Sequence, residues 1–339
     1  MRQGLSTGSR NAGHTDRVTN SCRWPQICVV AIEYRARGPY PTPVHIQRFK
    51  GQGRLRALLN VRMESRRMPE DIASSLPPFR VWDRGGARPV LALHCSLAHS
   101  GAWAGLAQGL SGVKVTATDQ PGHGRAQDWD GTRDLHGLST RQAVAMAEDL
   151  GQGAPIDLFG HSFGATIALR IALERPDLVR SLMLVEPVIF AAARAAEAPV
   201  WPGFLASHQE FETLVRKGKR PEATAMFHGF WGNGEPFEAI AVKTRIYLCD
   251  RIHFIVAQGP ALFGDSAGLL RYHGLESIAA PVLLVEGAES PAVIAAVHAE
   301  LARRLPNVSR LAIAGAGHMV AITHADELAA AVQTHLDSC

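Results

Sequence analysis

From Phe79 onward, short apolar runs alternate with longer stretches in which apolar residues recur at helical spacing. The apolar runs predict strands over Phe79–Trp82, Val90–His94, Val113–Thr118, Ile156–Phe159, Ser181–Val185, Val282–Val285 and Arg310–Ala314. Several are nearly continuous in apolar residues, as strands covered on both faces must be. Helical periods fall between them, near Ala102–Leu110, Arg141–Leu150, Gly164–Glu174, Ala292–Arg304 and Ala325–Leu336. This alternation predicts an α/β fold, a mostly parallel sheet flanked by helices. Two helix starts carry local signals. Ser139 to Gln142, "STRQ", has capping-box spacing, and Ser290–Pro291 places a good N-cap before a proline at the first helical position.

One interval breaks the rhythm. About ninety residues separate the strand ending at Val185 from the one beginning at Val282, too many for a structureless loop. Much of the aromatic content is concentrated there: Phe190, Trp201, Phe204, Phe211, Phe227, Phe230 and Trp231. The interval predicts a helical cap, residues 187–280, inserted over the carboxyl ends of the strands, where open α/β sheets bind ligands. The core is then residues 79–186 and 281–339. Trp201, Phe204, Phe230 and Trp231 are the candidates for lining a substrate pocket.

Charge separates the first 67 residues from the rest. They hold 13 Lys and Arg against three acids, a net of +10, whereas the remainder holds 22 basic and 28 acidic residues, a net of −6. The segment shows no sustained period, is rich in arginine and includes "RGPYPTP", so it reads as a disordered extension. A basic tail for nucleic acid or a membrane surface and a targeting peptide are alternative readings. The reading preferred on composition is upstream sequence translated from an early start codon, with Met63 or Met68 as the natural start. No apolar run approaches the roughly 18 residues of a membrane span. Five cysteines, Cys22, Cys28, Cys95, Cys249 and Cys339, never fall as C-x-x-C. That argues against both a disulfide framework and a structural zinc site, and fits a reducing, cytoplasmic setting. Fifteen histidines form no metal-ligand spacing, so no metal and no cofactor is expected.

The chemistry centres on "GHSFG", Gly160 to Gly164, a G-x-S-x-G pattern between an apolar strand and a helical stretch. That is the context of a nucleophile elbow, in which a sharp turn exposes the Ser162 hydroxyl above the sheet. A serine needs a base at neutral pH. "GAGHM" offers His318 after the last strand, at the same sheet edge. His324, in "THAD", lies at helix-cap spacing and suits a surface role. The histidine in turn needs a carboxylate. Glu289, in "VEGAESP", is preferred because the loop after the penultimate strand is the commoner source; Glu186, in "LVEP", is the alternative. Backbone N–H groups of Phe163 and Ser96 are the candidate oxyanion donors. Cys95 lacks a placed base and reads as a small buried residue.

The order "LHCSLAHSGAW", "TDQPGHGRA", "LFGHSFGA", "LVEP", "PVLLVEG" and "GAGHM" resembles the α/β-hydrolase fold superfamily, over roughly three quarters of the chain. The resemblance implies Ser162 as nucleophile, His318 as base and Glu289 as acid. The chain departs from the usual pattern in two places. His94-Cys95 stands where His-Gly is usual, and glutamate replaces the usual aspartate, with Ser290 at the position it often takes. The expected function is hydrolysis of a small, largely apolar ester, thioester or lactone through an acyl-enzyme. An acyltransferase or C–C bond hydrolase would use the same residues, and a ligand-sensing protein could keep them without catalysis. The expected partner is a small-molecule substrate, with no nucleic acid and no membrane; the sequence leaves oligomeric state open.

Overall fold

The structure, a computed structural model, describes residues 76–339. The basic segment 1–67, with Cys22 and Cys28, lies outside the described residues. Among the described residues seven strands form one sheet: β1 (Phe79–Asp83), β2 (Arg88–Leu93), β3 (Val113–Thr118), β4 (Ile156–His161), β5 (Val179–Val185), β6 (Val282–Gly287) and β7 (Val308–Ile313). Their order is β1-β3-β2-β4-β5-β6-β7. β1 runs antiparallel to β3, and every other neighbouring pair is parallel. The seven strand positions read from the sequence all coincide with observed strands, and the fold is the expected α/β sheet flanked by helices.

The continuous apolar runs follow from the pleat. Successive residues point to opposite faces, and both faces are covered. Leu91, Leu158, Leu182 and Leu284 pack on one side with the helices Leu135–Gly151, Phe163–Glu174 and Ala292–Arg304. Ala92, Phe159, Met183 and Val285 pack on the other with Leu106 and the C-terminal helix Ala325–Asp337.

Two helix starts differ from the local sequence signals. The first predicted start, Ser139, is buried four residues inside its helix; Asp134 is the cap instead, its carboxylate accepting the Gly137 N–H at 3.1 Å. The second, Ser290, does not cap. Pro291 occupies the N-cap position of the helix Ala292–Arg304, and the Ser290 hydroxyl is engaged elsewhere. Tertiary packing overrides a short capping signal in both cases.

Between β5 and β6 the chain forms only helices, chief among them Trp201–Arg216, Arg220–Trp231 and Val242–Arg251. Phe211, Ala223, Ile252 and Ile255 form a small core of their own around Leu97, from the loop after β2. That loop is pinned from below by two histidines. His94 accepts the Gln120 N–H on Nε2 at 3.0 Å and donates from Nδ1 to the Cys95 carbonyl at 2.7 Å. His123 accepts the Leu97 N–H at 3.1 Å and donates to the Pro121 carbonyl at 2.9 Å.

The helix Phe163–Glu174 approaches the sheet so closely that side chains are excluded at two points. A Cβ on Gly164 would overlap the Leu93 carbonyl, and one on Gly160 would fall 2.5 Å from the Ala165 Cα. The glycines around Ser162 thus answer to backbone contact. Gly164→Ala is expected to lower unfolding free energy by about 3 kcal/mol or more, read from urea melts, because backbone on both sides must move.

A second prediction concerns acid. Burial holds His94 down at about 3, and burial likewise holds His123, His136, His161 and His298 down at about 4, against 6.5 for a free histidine. Between pH 6.5 and 4 the unfolded chain binds protons that the native state does not. Stability therefore falls as pH drops through that window, by at least about 1 kcal/mol per pH unit. A urea midpoint that stays level from pH 7 to 5 would contradict this.

Candidate active site

Ser162 sits between β4 and the helix that follows, with φ 54° and ψ −114°. A non-glycine residue there carries strain on the order of 1–3 kcal/mol, held by its surroundings. The Ser162 N–H donates to the Val185 carbonyl at 2.8 Å, and its own carbonyl accepts from Ala165 N–H at 3.1 Å. The turn is thereby tied to the end of β5 on one side and to the helix on the other, and the side chain is 6% exposed.

His318 follows β7 and is buried. Its Nδ1 lies 2.8 Å from Glu186 Oε2 and its Nε2 3.0 Å from Ser162 Oγ. A carboxylate can only accept, so Nδ1 carries the proton and Nε2 accepts from the serine hydroxyl. His161 braces the arrangement from beneath, its Nε2–H donating to the His318 carbonyl at 2.8 Å. The Trp231 ring stands edge-to-face against His318, centroids 4.7 Å apart.

The carboxylate at this histidine is Glu186, and the preference for Glu289 is corrected. Glu186 directly follows β5, takes a left-handed φ of 51° and is fully buried. β5 lies between β4 and β6, so its end faces the elbow, and the turned backbone directs the carboxylate toward His318. Glu289 is exposed in the turn after β6, with its N–H on the Ala316 carbonyl at 2.8 Å. That turn contributes donors instead of the acid: the Gly287 N–H and the Ser290 hydroxyl both reach Glu186 Oε1 at 2.7 Å. Burial by itself would raise the Glu186 pKa. The bond and charge of His318, with the Gly287 and Ser290 donors, outweigh it and hold the carboxyl below its ordinary value. Glu286, on β6, is committed to Arg310 at 3.1 Å.

Phe163 opens the helix after Ser162, so its N–H has no acceptor within that helix. Ser96 lies on the loop after β2; among the described residues its N–H meets no acceptor, and its hydroxyl donates to Gln258 Oε1 at 2.7 Å. That bond joins the loop to the inserted helices. Cys95 is buried, and burial pushes its thiol up to about 12, so no thiolate forms near neutral pH.

Ser162, His318 and Ser96 open into a cavity of about 140 Å³ roofed by the inserted helices. Of the four aromatic residues expected there, Phe204, Phe230 and Trp231 line it. Trp201 does not: it packs behind the wall, 6.1 Å from Phe204 and 6.0 Å from Phe263. Phe190, Phe211, Phe227 and Phe263 complete the ring of aromatic walls. The aromatic density between β5 and β6 was the available signal for the first three; nothing local marked Phe263 or Gln258. A second cavity, of about 290 Å³, shares Ser96, Phe227 and Trp231 with the first and has Thr224, Asn233 and Glu235 on its wall.

Residues 88–325 match the family model described as alpha/beta hydrolase fold. The chain is 34% identical over 107 residues to lipase LipV of Mycobacterium tuberculosis, a match covering 31% of this chain and 39% of that lipase. It is 22% identical over 267 residues to (E)-2-((N-methylformamido)methylene)succinate hydrolase of Acinetobacter baylyi, covering 76% of this chain and 93% of that enzyme. Among solved structures, an alpha/beta hydrolase from Sphaerobacter thermophilus superposes with a TM-score of 0.56 at 21% identity, covering 76% of this chain and 96% of that one. With the sheet order and the match over most of its described length, this chain belongs to the alpha/beta hydrolase fold family and is an enzyme of that class.

Proposed function

We propose that the protein is a serine hydrolase that cleaves a small, largely apolar ester, thioester or lactone through an acyl-enzyme. The observation that carries this is the unbroken hydrogen-bond chain from buried Glu186 through His318 to Ser162, opening into an aromatic-walled cavity. As Ser162 Oγ attacks the carbonyl carbon, His318 Nε2 takes its proton and becomes cationic. Glu186 keeps the imidazole in the tautomer that can accept and stabilises the cation. The N–H groups of Phe163 and Ser96 hold the oxyanion, with the helix beginning at Phe163 adding its positive end. Collapse breaks the bond to the leaving group, which takes the proton from His318. Water, deprotonated by the same nitrogen, then releases the acid and restores Ser162.

The helices of residues 187–280 act as a cap that sets substrate size and excludes bulk water during acylation. The Ser96–Gln258 bond ties this cap to an oxyanion donor, so closure over substrate and alignment of that N–H go together. The Acinetobacter baylyi relative is named for a succinate dicarboxylate. Among the described residues no Arg or Lys lines the cavity above Ser162, so a dianionic substrate does not carry over.

Two measurements test the reading. Wild-type protein is expected to label with a fluorophosphonate and to turn over p-nitrophenyl butyrate, and Ser162→Ala to do neither; an unlabelled, inactive wild type overturns it. Glu186→Gln is expected to lower kcat by roughly 10³- to 10⁴-fold. Glu289→Gln is expected to stay within about twofold of wild type, as an exposed side chain without contact to the site.

A further inference from the structure

We infer that the cavity above Ser162 selects a single aromatic ring on the acyl side of the substrate, as in esters or thioesters of phenylacetate-like acids. This inference rests on the acyl-enzyme reading and assigns the acid that the enzyme would release.

The first argument is room. A cavity of about 150 Å³ with aliphatic and aromatic walls takes up benzene, and the space here is about 140 Å³. The six carbons of one ring fill it, and a long alkyl chain overfills it. The second is the character of the walls. Phe204 and Phe263 lie parallel, 4° apart in plane with centroids at 5.8 Å, while Trp231 stands perpendicular to Phe204 at 89°. Phe190 is tilted against both phenylalanines at 4.7 and 4.9 Å. The wall rings are therefore held both parallel and perpendicular to one another, the two settings in which a further ring joins an aromatic cluster by offset-stacked or edge-to-face contact. A saturated ring of the same size gains the burial but not those contacts.

The third argument is preorganisation. Phe190 and Phe204 are 5% and 7% exposed and belong to the same packed core as the sheet, so the space exists before a ligand enters. The fourth is charge. Among the described residues no Asp, Glu, Lys or Arg lines the cavity, and burial holds His208, which does line it, below the ordinary histidine value, so an ionised ring substituent would be buried unpaired. Orientation follows from Ser162. The acyl group becomes bonded to its Oγ, which opens into the aromatic cavity, whereas the second cavity lacks Ser162 and adjoins the first at Ser96, Phe227 and Trp231. The acyl group takes the aromatic cavity, and the leaving group departs toward the second.

The test holds the leaving group constant and varies the acyl group. p-Nitrophenyl phenylacetate is expected to exceed p-nitrophenyl cyclohexylacetate in kcat/KM by about fivefold, and p-nitrophenyl decanoate by roughly tenfold or more. Phe204→Leu, which keeps the wall apolar, is expected to bring the phenyl-to-cyclohexyl ratio close to one. If that variant fails to fold, Phe230→Leu, at the more exposed edge of the cavity, is expected to lower the ratio by about half. Calorimetry on Ser162→Ala with methyl phenylacetate and methyl cyclohexylacetate reads the same preference without turnover. A wild-type ratio near one, a preference for decanoate, or equal binding of the two methyl esters overturns the inference while leaving the hydrolase reading intact. Absence of fluorophosphonate labelling overturns the hydrolase reading, and the calorimetric ratio then decides the ring preference alone.

Discussion

A buried carboxylate has to be paired and hydrogen-bonded or it will not stay ionised, and Glu186 is the group around which that requirement is met. It has no solvent exposure, and three donors converge on it: the Gly287 N–H, the Ser290 hydroxyl and His318 Nδ1–H. Two come from the turn after β6 and the third from the loop after β7. Satisfying one charge therefore locks the end of β5, the turn after β6 and the loop after β7 into a single arrangement. His318 can meet Ser162 at 3.0 Å because its other nitrogen is held in this way.

The same sheet edge carries a second set of constraints on backbone. Ser162 is held in a left-handed turn by close helix–sheet contact at Gly160 and Gly164, and by its N–H bond to Val185. On the other side, His94 and His123 fix the loop that presents Ser96. These two histidines stay neutral because burial disfavours their charged forms. They serve as uncharged brackets, one nitrogen accepting and the other donating, which a lysine or glutamine could not reproduce in that geometry. The inserted helices then close over the edge, and their aromatic side chains define the space that a substrate would occupy.

The legible parts of the sequence were those with local causes. Strands covered on both faces must be apolar at every position, so all seven announced themselves as runs. The elbow was readable because a strand, a G-x-S-x-G turn and a helix follow one another within a few residues. His318 was readable from its place after the last strand. Helix caps follow packing where the local signal is weakest: Ser139 has the spacing of a cap but faces a packed interior, and Asp134, five positions earlier, caps the helix instead.

The sequence by itself determined the α/β class, the strand positions, the insertion, the serine and the histidine, because each depends on periodicity or on neighbours in the chain. Only the tertiary structure decided between Glu186 and Glu289. Both follow strands that end at the same edge, and which carboxylate meets His318 depends on the lateral order of β4, β5 and β6 and on the φ of one residue. It also decided that Ser290 donates to Glu186 instead of capping a helix, that Trp201 stands behind the cavity wall, and that Phe263 and Gln258 line the cavity. Side chains separated by scores of residues meet only after the sheet and the inserted helices are assembled, so no local pattern could name them.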